Sequence, residues 1–212
     1  MTYTLTYFPI RGRAEHARLL LEDNKIPYNS QVVQFGDEWN SFKKKGLESG
    51  ELPFGQVPVL HDDKLHLAQS GAIARYLARK HNKYGADDVE KALNDMMFDM
   101  GIDIQNMYVK FIFDENHKQK KEEFVKDVKG KFDLVEKFMK RQGKPYLASS
   151  EPTFADYLMF EVLDVIKRQK DDILKDFSHL ESFYNKMKSR PNIVAYRESD
   201  RFFEKPVPVE DS

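Results

Sequence analysis

The chain of 212 residues contains no cysteine. That absence removes a disulfide framework, a thiol nucleophile and a zinc-thiolate centre together, so any thiol chemistry must use a thiol carried in by a ligand. One-sided charge is missing too. Lys and Arg number 34 against 35 Asp and Glu, for a net charge of -1, and the Lys-rich stretch 118–131 is interrupted by Glu122, Glu123 and Asp127. Such interleaving describes a solvated helix face rather than a surface for nucleic acid. No apolar run approaches the roughly 18 residues a membrane-spanning helix needs, and the N-terminus has neither a basic flank nor an apolar targeting core. A cytoplasmic location away from membranes is the expectation. The six histidines fall into no HxxxH or HExxH spacing, so no metal site is expected. GxGxxG, GxxxxGK[ST] and GxSxG are also missing, which excludes the common dinucleotide, triphosphate and hydrolase signatures.

What is present is an ordinary globular composition, 41% apolar and 33% charged, with length enough for two small domains. The chain changes character near residue 82. Up to there the pattern reads strand (2–7), helix (13–24), strand (28–33), short helical segment, hairpin and helix, which predicts a four-stranded mixed sheet built on a βαβ unit. The polar stretch 82–87, broken by Gly85, reads as a linker. Beyond it the signals are helical, over 89–113, 122–141, 154–168 and 178–189. Thr153 with Asp156, and Ser178 with Glu181, carry the spacing of N-terminal capping boxes.

Residues 53–79 carry the most specific local pattern. The apolar, β-branched segment 57–61, the Asp62-Asp63 turn and the alternation of Leu65 and Leu67 predict a hairpin. Gln69-Ser70 then opens an amphipathic helix. Free backbone N–H groups and the positive end of the dipole make such a start a receptor for a carboxylate, although Ser70 can equally serve only as a cap for its own helix. Tyr7, at the carboxyl end of the first strand, stands where open α/β sheets place ligand crevices. By alternation it shares a face with Tyr3 and Leu5, so a core tyrosine is the competing reading.

Five segments together resemble a known family. Tyr7-Phe8-Pro9-Ile10-Arg11-Gly12-Arg13, Trp39 with Lys43, Phe54-Gly55-Gln56-Val57-Pro58, Gln69-Ser70 and Thr153-Phe154-Ala155-Asp156-Tyr157 are similar, in order, to the signature segments of cytosolic glutathione transferases. The resemblance is to the tyrosine-dependent group, nearest the pi and sigma classes. It implies an α/β plus all-α chain: a thioredoxin-like, glutathione-binding domain over 1–81 and an all-helical domain over 82–212 that contributes an electrophile pocket and dimer contacts. Glutathione is then a co-substrate, with no metal or other cofactor.

The resemblance also assigns roles. Tyr7 is the catalytic hydroxyl that donates to the glutathione sulfur. Val57 pairs its backbone with the cysteinyl unit, with the Val57-Pro58 bond cis and Gln56 and Pro58 also among the glutathione-binding positions; Gln69 and Ser70 hold the γ-glutamyl end. Arg13, Trp39 and Lys43 bind or shape the glycyl end, with Lys44 and Lys45 as rivals to Lys43. Asp103 reaches the γ-glutamyl amine of a partner subunit's site. Phe54 is the aromatic key of a homodimer, received near Met96, Met97 and Met100, which read equally well as core residues. Phe8, Ile10, Val109 and Phe113 line the pocket for a hydrophobic electrophile. The implied activity is conjugation of glutathione to such electrophiles, a detoxification chemistry. Glutathione-dependent rearrangement of a prostaglandin or related lipid, and non-catalytic carriage of apolar ligands, are the alternatives.

Overall fold

A computed structural model describes residues 2–209 and divides them into two compact units, residues 2–81 with Pro191–Val207, and residues 82–190 with 208–209. In the first unit, β1 (Tyr3–Tyr7) lies at the centre of a sheet ordered β2-β1-β3-β4. The strand β2 (Tyr28–Val32) runs parallel to it, pairing Tyr3 with Tyr28 and Tyr7 with Val32. On its other side β3 (Val59–Asp62) is antiparallel to β1, and β4 (Leu65–Ala68) antiparallel to β3. This is the mixed four-stranded sheet expected from the sequence.

The helices of this unit follow their apolar stripes. A 3-10 turn, Gly12–Ala14, feeds α1 (Glu15–Asp23), which buries Ala17, Leu19, Leu20 and Leu21. After β2 come α2 (Asp37–Ser49) and, beyond the hairpin, α3 (Ser70–Lys80), which packs on α1 and buries Ile73, Ala74, Leu77 and Ala78. The hairpin reverses at Asp63-Lys64, one residue later than the turn read from the sequence. Asp62 stays in the ladder opposite Leu65, and its buried carboxylate accepts from Tyr76 Oη at 2.5 Å and from Lys80 Nζ.

The second unit holds α4 (Asp88–Ile112), α5 (Lys121–Gln142), α6 (Phe154–Gln169) and α7 (Ser178–Lys188). From Phe154 to Ile166 every residue of α6 is buried, so it serves as the core helix against which α4 and α7 pack. Its start is the capping box read from the sequence: Thr153 and Asp156 exchange their bonds. The second expected box does not form. The N-terminus of α7 is satisfied instead by Glu136 of α5, whose carboxylate accepts from the His179 and Leu180 amides at 2.9 Å each. A carboxylate placed by tertiary packing satisfies two free donors there, where Glu181 satisfies neither.

Residues 82–212 are expected from the sequence as one helical domain; the compact units group its end differently. The helix α8 (Pro191–Arg197) and the tail through Val207 belong to the first unit. Ile193 and Tyr196 are buried, Asn192 Nδ2 donates to the Asp23 carbonyl at 2.7 Å, and Arg201 pairs with Glu22 at 2.6 Å.

Candidate functional site

Tyr7 ends β1 with only 7% of its surface exposed. Its hydroxyl accepts the Arg13 backbone N–H at 3.1 Å. A phenol has one proton to give, and with that acceptor position occupied the proton remains for an outward partner. Burial pushes the Tyr7 phenol above its ordinary value, against the Arg13 amide and the Arg18 and Arg13 charges, which pull it down. The group is therefore a neutral donor at pH 7, suited to stabilising an anion rather than taking a proton from it.

The turn after Tyr7 is built around Gly12. Its φ is +45°, and a Cβ added there would lie 2.6 Å from the Tyr7 oxygen and 2.8 Å from Cε1. Only glycine lets the backbone approach the hydroxyl so closely. Behind the ring sits Arg18, 1% exposed, with its guanidinium 5.7 Å from the Tyr7 ring centroid. Its Nη1 donates to Glu15 Oε2 and to the Ile10 carbonyl, each at 2.9 Å.

Next to Tyr7, Phe8 forms the centre of an aromatic wall. It stacks on Phe35 at 4.2 Å and 16°, and meets Trp39 of α2 edge-on at 5.2 Å. Ile10 is buried. Further along α2, Lys43 is the one of the three consecutive lysines that lies against Gly55: a Cβ on that glycine would meet Lys43 Cε at 3.0 Å and Leu47 Cδ1 at 3.2 Å. Two residues on, the Val57-Pro58 bond is cis. Val57 is half-buried just ahead of the β3 ladder, and Pro58 is buried.

The start of α3 departs from the capping reading. The N-cap is Gln69, with φ 72° and no side-chain cap bond, and Ser70 is the first helical residue. The carboxylate-receptor reading of this helix start gains accordingly, since neither residue closes its free amides. Gln69 Nε2 reaches Gln56 Oε1 at 3.3 Å. From below, His16 of α1 bonds the Ser70 carbonyl through Nε2 at 3.3 Å. That carbonyl can only accept, so Nε2 carries the proton. Burial lowers the His16 pKa to about 4, so it is neutral at pH 7.

One unit thus carries Tyr7, Arg13, Trp39, Lys43, Gln56, Val57, Pro58, Gln69 and Ser70, with Phe8 and Ile10. Of the other predicted residues, Asp103, Val109, Phe113 and the three methionines lie in the helical unit. Asp103 is exposed on α4 with Lys131 Nζ 3.6 Å away. Val109 is half-buried, and Phe113 is 56% exposed at the end of the same helix. Phe54, in the first unit, is 65% exposed, a large apolar side chain left in water. Met96 is exposed and Met100 half-buried, but Met97 is buried at 3% exposure, as a core residue is. Among the described residues no three His, Cys, Asp or Glu side chains converge as a metal site would require. No described helix is long and apolar enough to cross a membrane. Gly12, Arg18 and His16 had not been singled out from the sequence: each acts on the site through a backbone or buried contact.

The Tyr7 hydroxyl and the uncapped start of α3 are carried by one unit built on a four-stranded mixed sheet. Residues 3–79 match the family described as Glutathione S-transferase, N-terminal domain, and residues 102–200 the one described as Glutathione S-transferase, C-terminal domain. The chain belongs to the glutathione S-transferase family. It is 33% identical over 207 residues to Glutathione S-transferase P 1 of Xenopus laevis, covering 97% of this chain and 96% of that one. Identity to Glutathione S-transferase P 10 of Caenorhabditis elegans is 36% over 197 residues, 92% and 90% of the two chains. A solved pi-class glutathione S-transferase of Onchocerca volvulus superposes with a TM-score of 0.85 at 33% identity, covering 93% of each chain.

Proposed function

We propose that the protein conjugates glutathione to hydrophobic electrophiles, with the Tyr7 hydroxyl donating to the glutathione sulfur and stabilising its thiolate. The observation that carries this reading is the Arg13 N–H bond to the Tyr7 oxygen, which leaves the phenol proton as an outward donor. A free thiol with pKa ~8.5 is only about 3% ionised at pH 7. Lowering that value by about two units requires about 2.7 kcal/mol of preference for the anion, within reach of a charge-assisted hydrogen bond aided by backbone dipoles.

The rest of the peptide follows from the same unit. Its γ-glutamyl carboxylate meets the uncapped start of α3 at Gln69 and Ser70, with Gln56 beside Gln69. The cysteinyl unit lies along Val57, whose main chain precedes the β3 ladder, and the glycyl carboxylate is met by Lys43, with Trp39 and Arg13 shaping that end. Support for Lys43 over Lys44 and Lys45 comes from its seat against Gly55. The aromatic wall of Phe8, Phe35 and Trp39 favours flat apolar co-substrates. The thiolate attacks the electrophilic carbon, the leaving group departs, and no covalent enzyme intermediate is needed. The protein acts in the cytoplasm as a homodimer, with exposed Phe54 as the contact residue and Asp103 completing the partner's site.

The test is conjugation of glutathione to chlorodinitrobenzene by wild type and Tyr7→Phe. The variant is expected to lose about 10²-fold in kcat/KM, the scale of removing one donor from a developing anion. Comparable turnover in the two proteins refutes the role given to Tyr7.

A further inference from the structure

Three successive amides of the turn after Tyr7 point to three acceptors. Arg11 N–H donates to the Lys205 carbonyl at 2.9 Å, Gly12 N–H to the Pro206 carbonyl at 2.9 Å, and Arg13 N–H to the Tyr7 hydroxyl at 3.1 Å. The first two bonds tie the turn to the C-terminal tail, and the third sets the hydroxyl. The tail also closes a buried charge cluster behind Tyr7. Arg11 and Arg18 are each 1% exposed, and Arg18 Nη1 pairs with the buried carboxylate of Glu15 at 2.9 Å. Phe203 covers the Arg18 guanidinium at 4.6 Å and Phe202 the Arg11 guanidinium at 5.4 Å. The aromatic faces add cation–π attraction to these buried guanidinium groups and help keep water from them. Arg18 in turn touches the Tyr7 ring and holds the Ile10 carbonyl.

On the reading of Tyr7 given above, we infer that the tail segment Phe203 to Pro206 is a positioning element, which holds the Arg11-Gly12-Arg13 turn so that the Tyr7 hydroxyl keeps its aim at the glutathione sulfur. The tail bonds the turn through the Lys205 and Pro206 carbonyls rather than the Tyr7 hydroxyl itself. It acts through the backbone that Tyr7 leans on, and it is itself moored by Arg201 to Glu22 and by Asn192 to Asp23. A tail that only covered the core would, when loosened, lower stability and leave the bound thiol as acidic as before. A positioning tail changes that acidity.

The experiment uses the full chain with Phe203→Ala, which removes the face over Arg18 while leaving every predicted glutathione contact in place. The ultraviolet absorbance of the bound thiolate is titrated against pH, with kcat/KM for chlorodinitrobenzene over the same range and amide exchange at Arg11 and Gly12. Expected is faster exchange at those amides and a bound-thiol pKa raised by about one unit; at about pH 6.5 this is a roughly fivefold loss of kcat/KM that closes above the new pKa. The KM for glutathione should stay within about threefold, because the peptide contacts remain. An unchanged thiol titration in the face of faster exchange overturns the inference. Phe203→Leu, which keeps apolar bulk without the aromatic face, is read the same way if the alanine variant does not fold. Wild type that binds glutathione without ionising it refutes the Tyr7 reading itself, and the tail's role with it; wild type that ionises it, matched by both variants, refutes the tail's role alone.

Discussion

Gly12→Ala tests the geometry at Tyr7 without touching the hydroxyl. The added Cβ would lie 2.6 Å from the Tyr7 oxygen, where ordinary contact begins at 3.4 Å, so ring or turn must give by about 0.8 Å. The ring has little room: it is 7% exposed and backed by Arg18. A shift of that size opens the 3.1 Å bond from Arg13 beyond hydrogen-bonding range. In addition, φ of +45° costs alanine about 1 kcal/mol, and overpacking adds about 1 to 2 kcal/mol, for a stability loss of about 2 to 3 kcal/mol. The larger effect is on rate. Misplacing a reacting group by about 1 Å costs on the order of 10²-fold, so kcat/KM should fall about 30- to 100-fold, close to the effect of Tyr7→Phe. The assay is steady-state conjugation of chlorodinitrobenzene by the two single variants and the double variant, with thermal unfolding in parallel. If Gly12 acts through the Tyr7 hydroxyl, the double variant is no more than about threefold worse than Tyr7→Phe alone. Losses that multiply in the double variant, or a folded Gly12→Ala within about threefold of wild type, refute the reasoning.

The two units should respond to acid with opposite signs. His16 is pushed down to about 4 by burial, from an ordinary 6.5, so the unfolded chain binds its proton first and the stability of the first unit falls as pH drops from about 6.5 to 4, by about 3 kcal/mol in all. Asp156 is pushed up to about 6 by burial, so the second unit holds that proton more tightly than the unfolded chain, and this contribution is present at low pH and lost as pH rises through about 6. The single tryptophan, Trp39, reports the first unit. Its urea midpoint should drop between pH 7 and about 4.5 more than the helical circular dichroism midpoint does, and His16→Leu should shrink the difference to the part that Asp156 contributes; equal shifts of both probes count against the assignment. Asp156→Ala strands the Leu147 and Thr153 amides, which donate to the carboxylate at 2.9 and 2.7 Å, and should cost about 3 to 5 kcal/mol in chemical denaturation. A loss below about 1 kcal/mol shows that those donors find other acceptors.

The strands, the long helices and the Thr153 box could be read from the sequence because each rests on a period or a cap contained within a few neighbouring residues. The differences have one physical form. The hairpin turn moved by one residue because Asp62 found Tyr76 and Lys80, the second capping box gave way to Glu136 from another helix, and the tail joined the first unit through acceptors more than 190 residues from their donors. The site divides along the same line. The roles proposed for Tyr7, Lys43, Gln69 and Ser70 rest on side chains or a helix start, which leave a letter or a pattern in the sequence. Arg11, Gly12 and Arg13 contribute their amides, and a backbone N–H is the same whatever residue carries it. Only Gly12 leaves a trace, because the approach of Tyr7 excludes a Cβ there. Its neighbours carry long basic side chains that invite an electrostatic reading, while the bond that sets the Tyr7 hydroxyl runs through the main chain beneath them. A motif read by side-chain chemistry therefore finds the hydroxyl and misses what aims it.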